Sequence, residues 1–279
     1  MSEHVLELGA RRARRGAGVK PYLGLLRMST RRILTYRLNS LILWIGGATF
    51  LAGSLAVWHA LLSEGAIGGY DWHQMKAYLL VGWATASIGS AYGDWWMASR
   101  IFEGHVATDL TKPLDYQWAR FSEHMGGLAT EFIAIAVAAT AIVAFTGDLI
   151  VPGPAQALLF AVSFLMVAPL KFTIAYITTM ACFWTQNFMG VSWAKDAIVT
   201  LFSGALIPLA LLPAWLAGPA SVLPFASITA TPAALYLGQA TGWEALRLLA
   251  VQAAWVLALW WGARLIWRRA LRALTVHGG

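Results

Sequence analysis

Three ionisable side chains, Asp94, Glu131 and Lys171, stand in or at the edge of long apolar runs of this 279-residue chain. A charge in such a place is costly and marks an ion path, a proton relay or a polar ligand site until shown otherwise. Asp94 and Glu131 lie near the ends of their runs and can reach water from there. Lys171 lies deeper, two residues after Pro169. It can snorkel, pair with Glu131 or face a substrate cavity, and we take Lys171 and Glu131 as candidate cavity residues. Enzymatic chemistry finds little else. A nucleotide-hydrolysing phosphate loop needs Gly-Lys-[Ser/Thr], and none of the five Lys residues follows a Gly. The six His are scattered, with no His-x-x-x-His or Cys-x-x-Cys metal spacing and no Gly-x-Ser-x-Gly elbow. Cys182 stands alone, which excludes an internal disulfide. The expectation is a non-catalytic chain with no metal or cofactor bound directly.

What must hold these residues is a membrane fold. Hydrophobic residues make up 59% of the chain and charged residues 12%, at a mean hydropathy of +0.63, so a water-soluble fold would lack the polar side chains to cover itself. A span needs about 20 mostly apolar residues. On that rule we expect six, at about 38–62, 77–97, 126–145, 155–183, 197–216 and 244–266. Between Asp196 and Glu244 no residue is charged, and Pro208, Pro213, Pro219, Pro224 and Pro232 rule out one straight helix. We therefore expect a fifth span, then short broken helices over 218–237 that dip into the outer leaflet. Residues 1–37 form a basic tail, and 38–279 a single transmembrane domain.

Orientation follows from the cations. Nine of the twenty Lys and Arg precede the first span and four follow the last, while Arg100, Lys112, Arg120 and Lys195 fall in loops on the same side. Only Lys76 and Arg247 are left for the outside. Both termini are thus expected in the cytoplasm, as is the polar insert "IFEGHVATDLTKPL" at 101–114. Over 22–37, Leu23 and Leu26 alternate with Arg27, Arg31 and Arg32 at helical spacing, which suits a helix lying in the headgroup plane over anionic lipid.

The order of "IGGYDWHQMKAYLLVG" (67–82), "IFEGHVATDLTKPL", "FW" (183–184), "SGALIPLALLPAWL" (203–216), "LPF" (223–225) and a closing "RLIWRRALR" resembles the membrane subunits of ABC-2-type exporters, in particular the daunorubicin-resistance-like permeases. The likeness covers about residues 20–279, and its strength lies in order and spacing rather than in any one motif. It implies an all-α polytopic membrane protein: six transmembrane helices, an N-terminal interfacial helix, a cytoplasmic coupling helix between spans two and three, and an outer re-entrant hairpin between spans five and six. The coupling helix, about Ile101 to Leu110, would dock on a separate ATPase. Ile101, Phe102, Val106 and Leu110 offer it an apolar ridge, Glu103, Asp109 and Lys112 a rim of ion pairs, with His105 between and Pro113 as the stop.

The resemblance further implies two copies of an ABC ATPase carrying ATP and Mg²⁺, and a second permease subunit in a homodimer or paired heterodimer. It places the protein in a bacterial-type plasma membrane, exporting a hydrophobic or amphipathic compound. Two other classes stay open on the residues alone: a secondary transporter driven by an ion gradient, and a permease-like scaffold or sensor. An intramembrane lipid-modifying enzyme would need at least two convergent catalytic groups.

Overall fold

A computed structural model describes residues 18–89 and 94–273, and these are helical apart from turns and a single β-bridge between Ile67 and Tyr70. The basic tail over 1–17 lies outside the described residues. Helix α1 (Val19–Thr35) stops at Tyr36, and α2 (Arg37–Leu61) follows at once. Asp71 and Gln74 form a reciprocal capping box that starts α3 (Trp72–Ser87). After α4 (Asp94–Phe102) and α5 (His105–Leu110), Asp115 caps α6 (Tyr116–His124), its carboxylate accepting the Trp118 amide at 2.9 Å. A 3₁₀ turn leads into α7 (Leu128–Thr146). Pro154 occupies the first turn of α8 (Pro154–Thr179), where its missing N–H costs nothing. The chain continues through α9 (Phe188–Ser203), α10 (Ala214–Val222), α11 (Ala230–Tyr236) and α12 (Gly242–Ala270).

Four stretches are long and apolar enough to cross a bilayer: Ser40–Glu64, Tyr116–Thr146, Pro154–Phe183 and Gly242–Ala270. They match the expected first, third, fourth and sixth spans, the third beginning ten residues early because α6 runs on through the 3₁₀ turn into α7. The other two expected spans are not single helices. Over 77–97, α3 ends at Ser87, Ile88 turns extended at ψ 123°, and Gly89 takes φ +76°. Over 197–216, the helix is α9, which starts at Phe188 and ends at Ser203, capped by Gly204 at φ +82°. Tyr78 donates its hydroxyl to the Gly204 carbonyl at 2.8 Å, and Pro208 then denies an N–H to any continuation. Uninterrupted hydropathy carried the expected span to Leu216; backbone chemistry ends it thirteen residues sooner.

Packing centres on α8, which lies along α12 and also meets α11, α4 and α9. Phe172, Tyr176, Met180, Ala263 and Ala270 bury one end of that contact with Val106 and Tyr116. The other end holds a polar weld. Gln252, fully buried on α12, accepts from Ser163 Oγ at 2.8 Å and donates to the carbonyls of Ser163 (3.0 Å) and Ser227 (2.9 Å). Gln252→Leu takes the partner from the buried Ser163 hydroxyl and the Ser227 carbonyl, and should lower stability by about 1–3 kcal/mol. Thermal unfolding of the purified protein measures this, and a midpoint unchanged from wild type would show that the weld contributes nothing.

Lys76, expected among the outer cations, is buried and paired with Asp148 in the turn between α7 and α8, where His73 Nδ1 also reaches Asp148 Oδ2 at 2.6 Å. The hydrogen bond from Lys76 holds the Asp148 carboxyl below the ordinary carboxylate range.

Candidate functional site

The polar insert folds as a helical hairpin rather than a single rod. Gly104 takes φ +72°, a conformation a side chain resists, and separates α4 from the six-residue α5. This corrects the expected helix from Ile101 to Leu110. It also turns the expected apolar ridge inward. Val106 is wholly buried, and Ile101 and Leu110 pack beside it on Met97, Tyr116 and Tyr176. Of the four ridge residues only Phe102 is exposed, at 41%. Around it Glu103, Gly104, His105, Thr108, Lys112 and Pro113 are exposed too, with His105 Nε2 3.1 Å from Glu103 Oε2.

Asp109 is likewise not on a rim. It is 6% exposed and sits among three cations: Arg100 Nε donates to Oδ2 at 3.1 Å, Lys112 Nζ to Oδ1 at 2.9 Å, and Arg120 Nη2 stands 3.6 Å from Oδ2. Burial alone would raise its carboxyl; the hydrogen bonds from Arg100 and Lys112 and the charges of Arg120 and Arg100 outweigh it and hold the group below the ordinary carboxylate range. Arg120, 3% exposed, also meets Glu123 at 3.0 Å and lies 5.1 Å from the Tyr116 ring centre. Tyr116 stacks flat on Trp267 of α12, centroids 4.2 Å apart and planes 3° from parallel. The hairpin is thus fastened to α6, α8 and α12, with a small tip left free. In the sequence Arg100 and Arg120 stand out only as topology charges; their spacing of nine and eleven residues from Asp109 gives no helical-face signal.

Helix α1 clasps the same assembly. Tyr22 Oη accepts the Asp115 amide at 3.1 Å, and Thr30 Oγ1 donates to the Gly126 carbonyl at 2.9 Å. Gly126 permits this approach: a Cβ there would come 2.6 Å from that of Ser29. Arg32 lies over the Trp96 ring of α4 at 4.1 Å. Leu26 is half-buried, while Leu23, Arg27 and Arg31 are exposed.

Lys171 and Glu131 meet the break after α3 from two helices. Lys171 Nζ donates to the carbonyls of Thr85 (3.1 Å) and Ala86, groups left without intrahelical partners where α3 ends. Glu131 Oε2 accepts the Gly89 amide at 2.8 Å. A side chain at Gly89 would run into the buried ring of His124. Next to Lys171 opens a cleft of about 390 Å³, bounded by Asp94 and Trp95 of α4 and by Phe188, Trp193, Lys195 and Asp196 of α9. Lys195 bridges Asp94 and Asp196, the latter at 2.8 Å. Among the described residues no cluster of three or more His, Cys, Asp or Glu could hold a metal ion.

The family model described as ABC-2 family transporter protein matches residues 31–278. No curated protein and no solved structure matches the chain.

Proposed function

The chain belongs to the ABC-2 transporter family, and on that premise we propose that it is the permease subunit of an exporter powered by a separate ATPase. One observation carries the reading. The hairpin is anchored on its inner side by the Asp109 cluster and Val106, and exposes a tip at Phe102, Glu103 and His105. A rigid projection with an aromatic ring exposed at its tip suits insertion into a cleft on a partner, and its anchors would pass the partner's movement to α6, α8 and α12. ATP and Mg²⁺ would belong to that partner, present in two copies, with a second permease facing this one.

In this reading the chain crosses six times with both termini in the cytoplasm. Helices α3 and α4 together make the second crossing, α9 with the turns after it the fifth, and α10 and α11 an outer hairpin. The cargo is an amphipathic or hydrophobic compound taken from the cytoplasm or inner leaflet. Thr108 is exposed and the one native thiol, Cys182, is buried, so Thr108→Cys reports the side directly. A membrane-impermeant maleimide should label it in inverted vesicles and not in intact cells. Labelling in intact cells would overturn the orientation and the coupling role together. Purification of the native complex should bring down an ATPase in equal amount.

The break in α3 favours one other reading, because discontinuous helices with ionisable groups at the gap are also built into ion-coupled carriers. Transport by the purified permease under an ion gradient, with no ATPase, would select it.

A further inference from the structure

The cleft beside Lys171 has chemistry that the coupling hairpin does not use. An ammonium has three N–H donors, and Lys171 spends two on the carbonyls of Thr85 and Ala86. The third is left for a group in the cleft that the side chain lines. Opposite it, Asp94 and Asp196 share the charge of Lys195. Asp94 is largely covered, but the Asp196 side chain is 62% exposed and can accept a further cation. The cleft therefore presents a positive pole at Lys171 and a negative pole at Asp196. Its mouth is apolar: Trp95, Met189 and Trp193 are exposed there, with Phe188 6.3 Å from Trp95 behind them.

We propose that this cleft takes the headgroup of a zwitterionic, phospholipid-like amphiphile, its phosphate on Lys171 and its ammonium on Asp196, with the chains leaving past Trp95 and Trp193. A volume of about 390 Å³ holds a headgroup and not a whole lipid, which matches chains that remain in the bilayer. Exposed tryptophans at the mouth are the rings that settle at headgroup depth, and the orientation proposed above puts that depth in the inner leaflet. The inference rests on the permease reading for that orientation, and it names the cargo class.

The test uses the purified full-length permease, without ATPase, in a neutral detergent. Native mass spectrometry would compare occupancy by phosphatidylethanolamine, phosphatidylglycerol and diacylglycerol of matched chains. Wild type should rank them in that order. Lys171→Met should cut both phospholipids about tenfold, to the diacylglycerol level, since a hydrogen bond to a charged group contributes on the order of 1.5 kcal/mol or more. Lys171 also closes the end of α3, so Lys171→Arg, which keeps the donors, is expected to retain the ranking. Asp196→Asn, on the surface, should reduce phosphatidylethanolamine alone and leave phosphatidylglycerol as it was.

Equal binding of all three lipids, or an Asp196→Asn protein that binds phosphatidylethanolamine as wild type does, overturns the proposal. Displacement of the lipid by chain-free glycerophosphoethanolamine at similar concentration also overturns it, because that marks a soluble-phosphate site. Failure here with an ATPase still co-purifying leaves the coupling reading standing. Intact lipid ranking with no ATPase present in the native complex removes coupling and leaves the cleft.

Discussion

Phe102→Asp is expected to abolish ATP-driven export while leaving the permease folded in the membrane. Phe102 ends α4 at the outer tip of the hairpin and is absent from the buried cluster that holds Val106, so the substitution leaves that cluster intact. A carboxylate carried into a partner's apolar cleft would be desolvated without a counter-charge, at a cost of several kcal/mol. About 3 kcal/mol corresponds to roughly a hundredfold loss of affinity. Co-purification of the ATPase and its stimulation by the permease should both collapse. Leu110→Asp is the informative contrast, because Leu110 packs inward and a charge there should reduce the amount of folded protein instead. Normal transport by the Phe102→Asp protein would remove the hairpin tip from the docking surface.

The second large effect lies behind the tip. Asp109→Ala takes the shared anion from Arg100 and Lys112 and leaves Arg120 with Glu123, and removing one member of a buried charge cluster costs about 3–5 kcal/mol. The expected result is a lowered thermal midpoint and new protease cuts within 94–115, with ATPase stimulation lost as well. The same carboxyl sets a pH dependence of definite sign. Its pKa is depressed in the folded protein, so the stability it adds is present above the ordinary carboxylate pKa and disappears as pH falls through the lowered folded value. The Asp109→Ala protein should therefore approach wild-type stability in acid and fall furthest behind at neutral pH. A difference that is the same at both pH values would mean that packing, not charge, holds the hairpin.

The membrane character and the four stretches long and apolar enough to cross a bilayer are legible in the sequence, because each needs only length and an absence of charge. Breaks were harder. Gly89 and Gly204 carry the two turns that divide the other expected spans, yet the chain has 26 glycines and nothing in the composition around these two sets them apart. Their roles come from distant contacts: Glu131 on the Gly89 amide, and Tyr78 on the Gly204 carbonyl. The polar insert is visible in the sequence as a distinct unit, but its facing depends on one backbone conformation that spacing does not reveal. One continuous helix would set Phe102, Val106 and Leu110 on a shared side; a left-handed Gly104 swings the latter two against the bundle. Lys171 stood out as an anomaly, and the carbonyls that receive it were 85 and 86 residues away in sequence.

The flat stacking of Tyr116 on Trp267 ties the hairpin to the far end of α12, whereas α3 stops before α4 begins. A push arriving at Phe102 would thus bypass the nearest rod and travel as torque through two rings into the last one. Stiffening that aromatic joint, for example by a disulfide spanning α6 and α12, should leave the motor running while the carrier stalls.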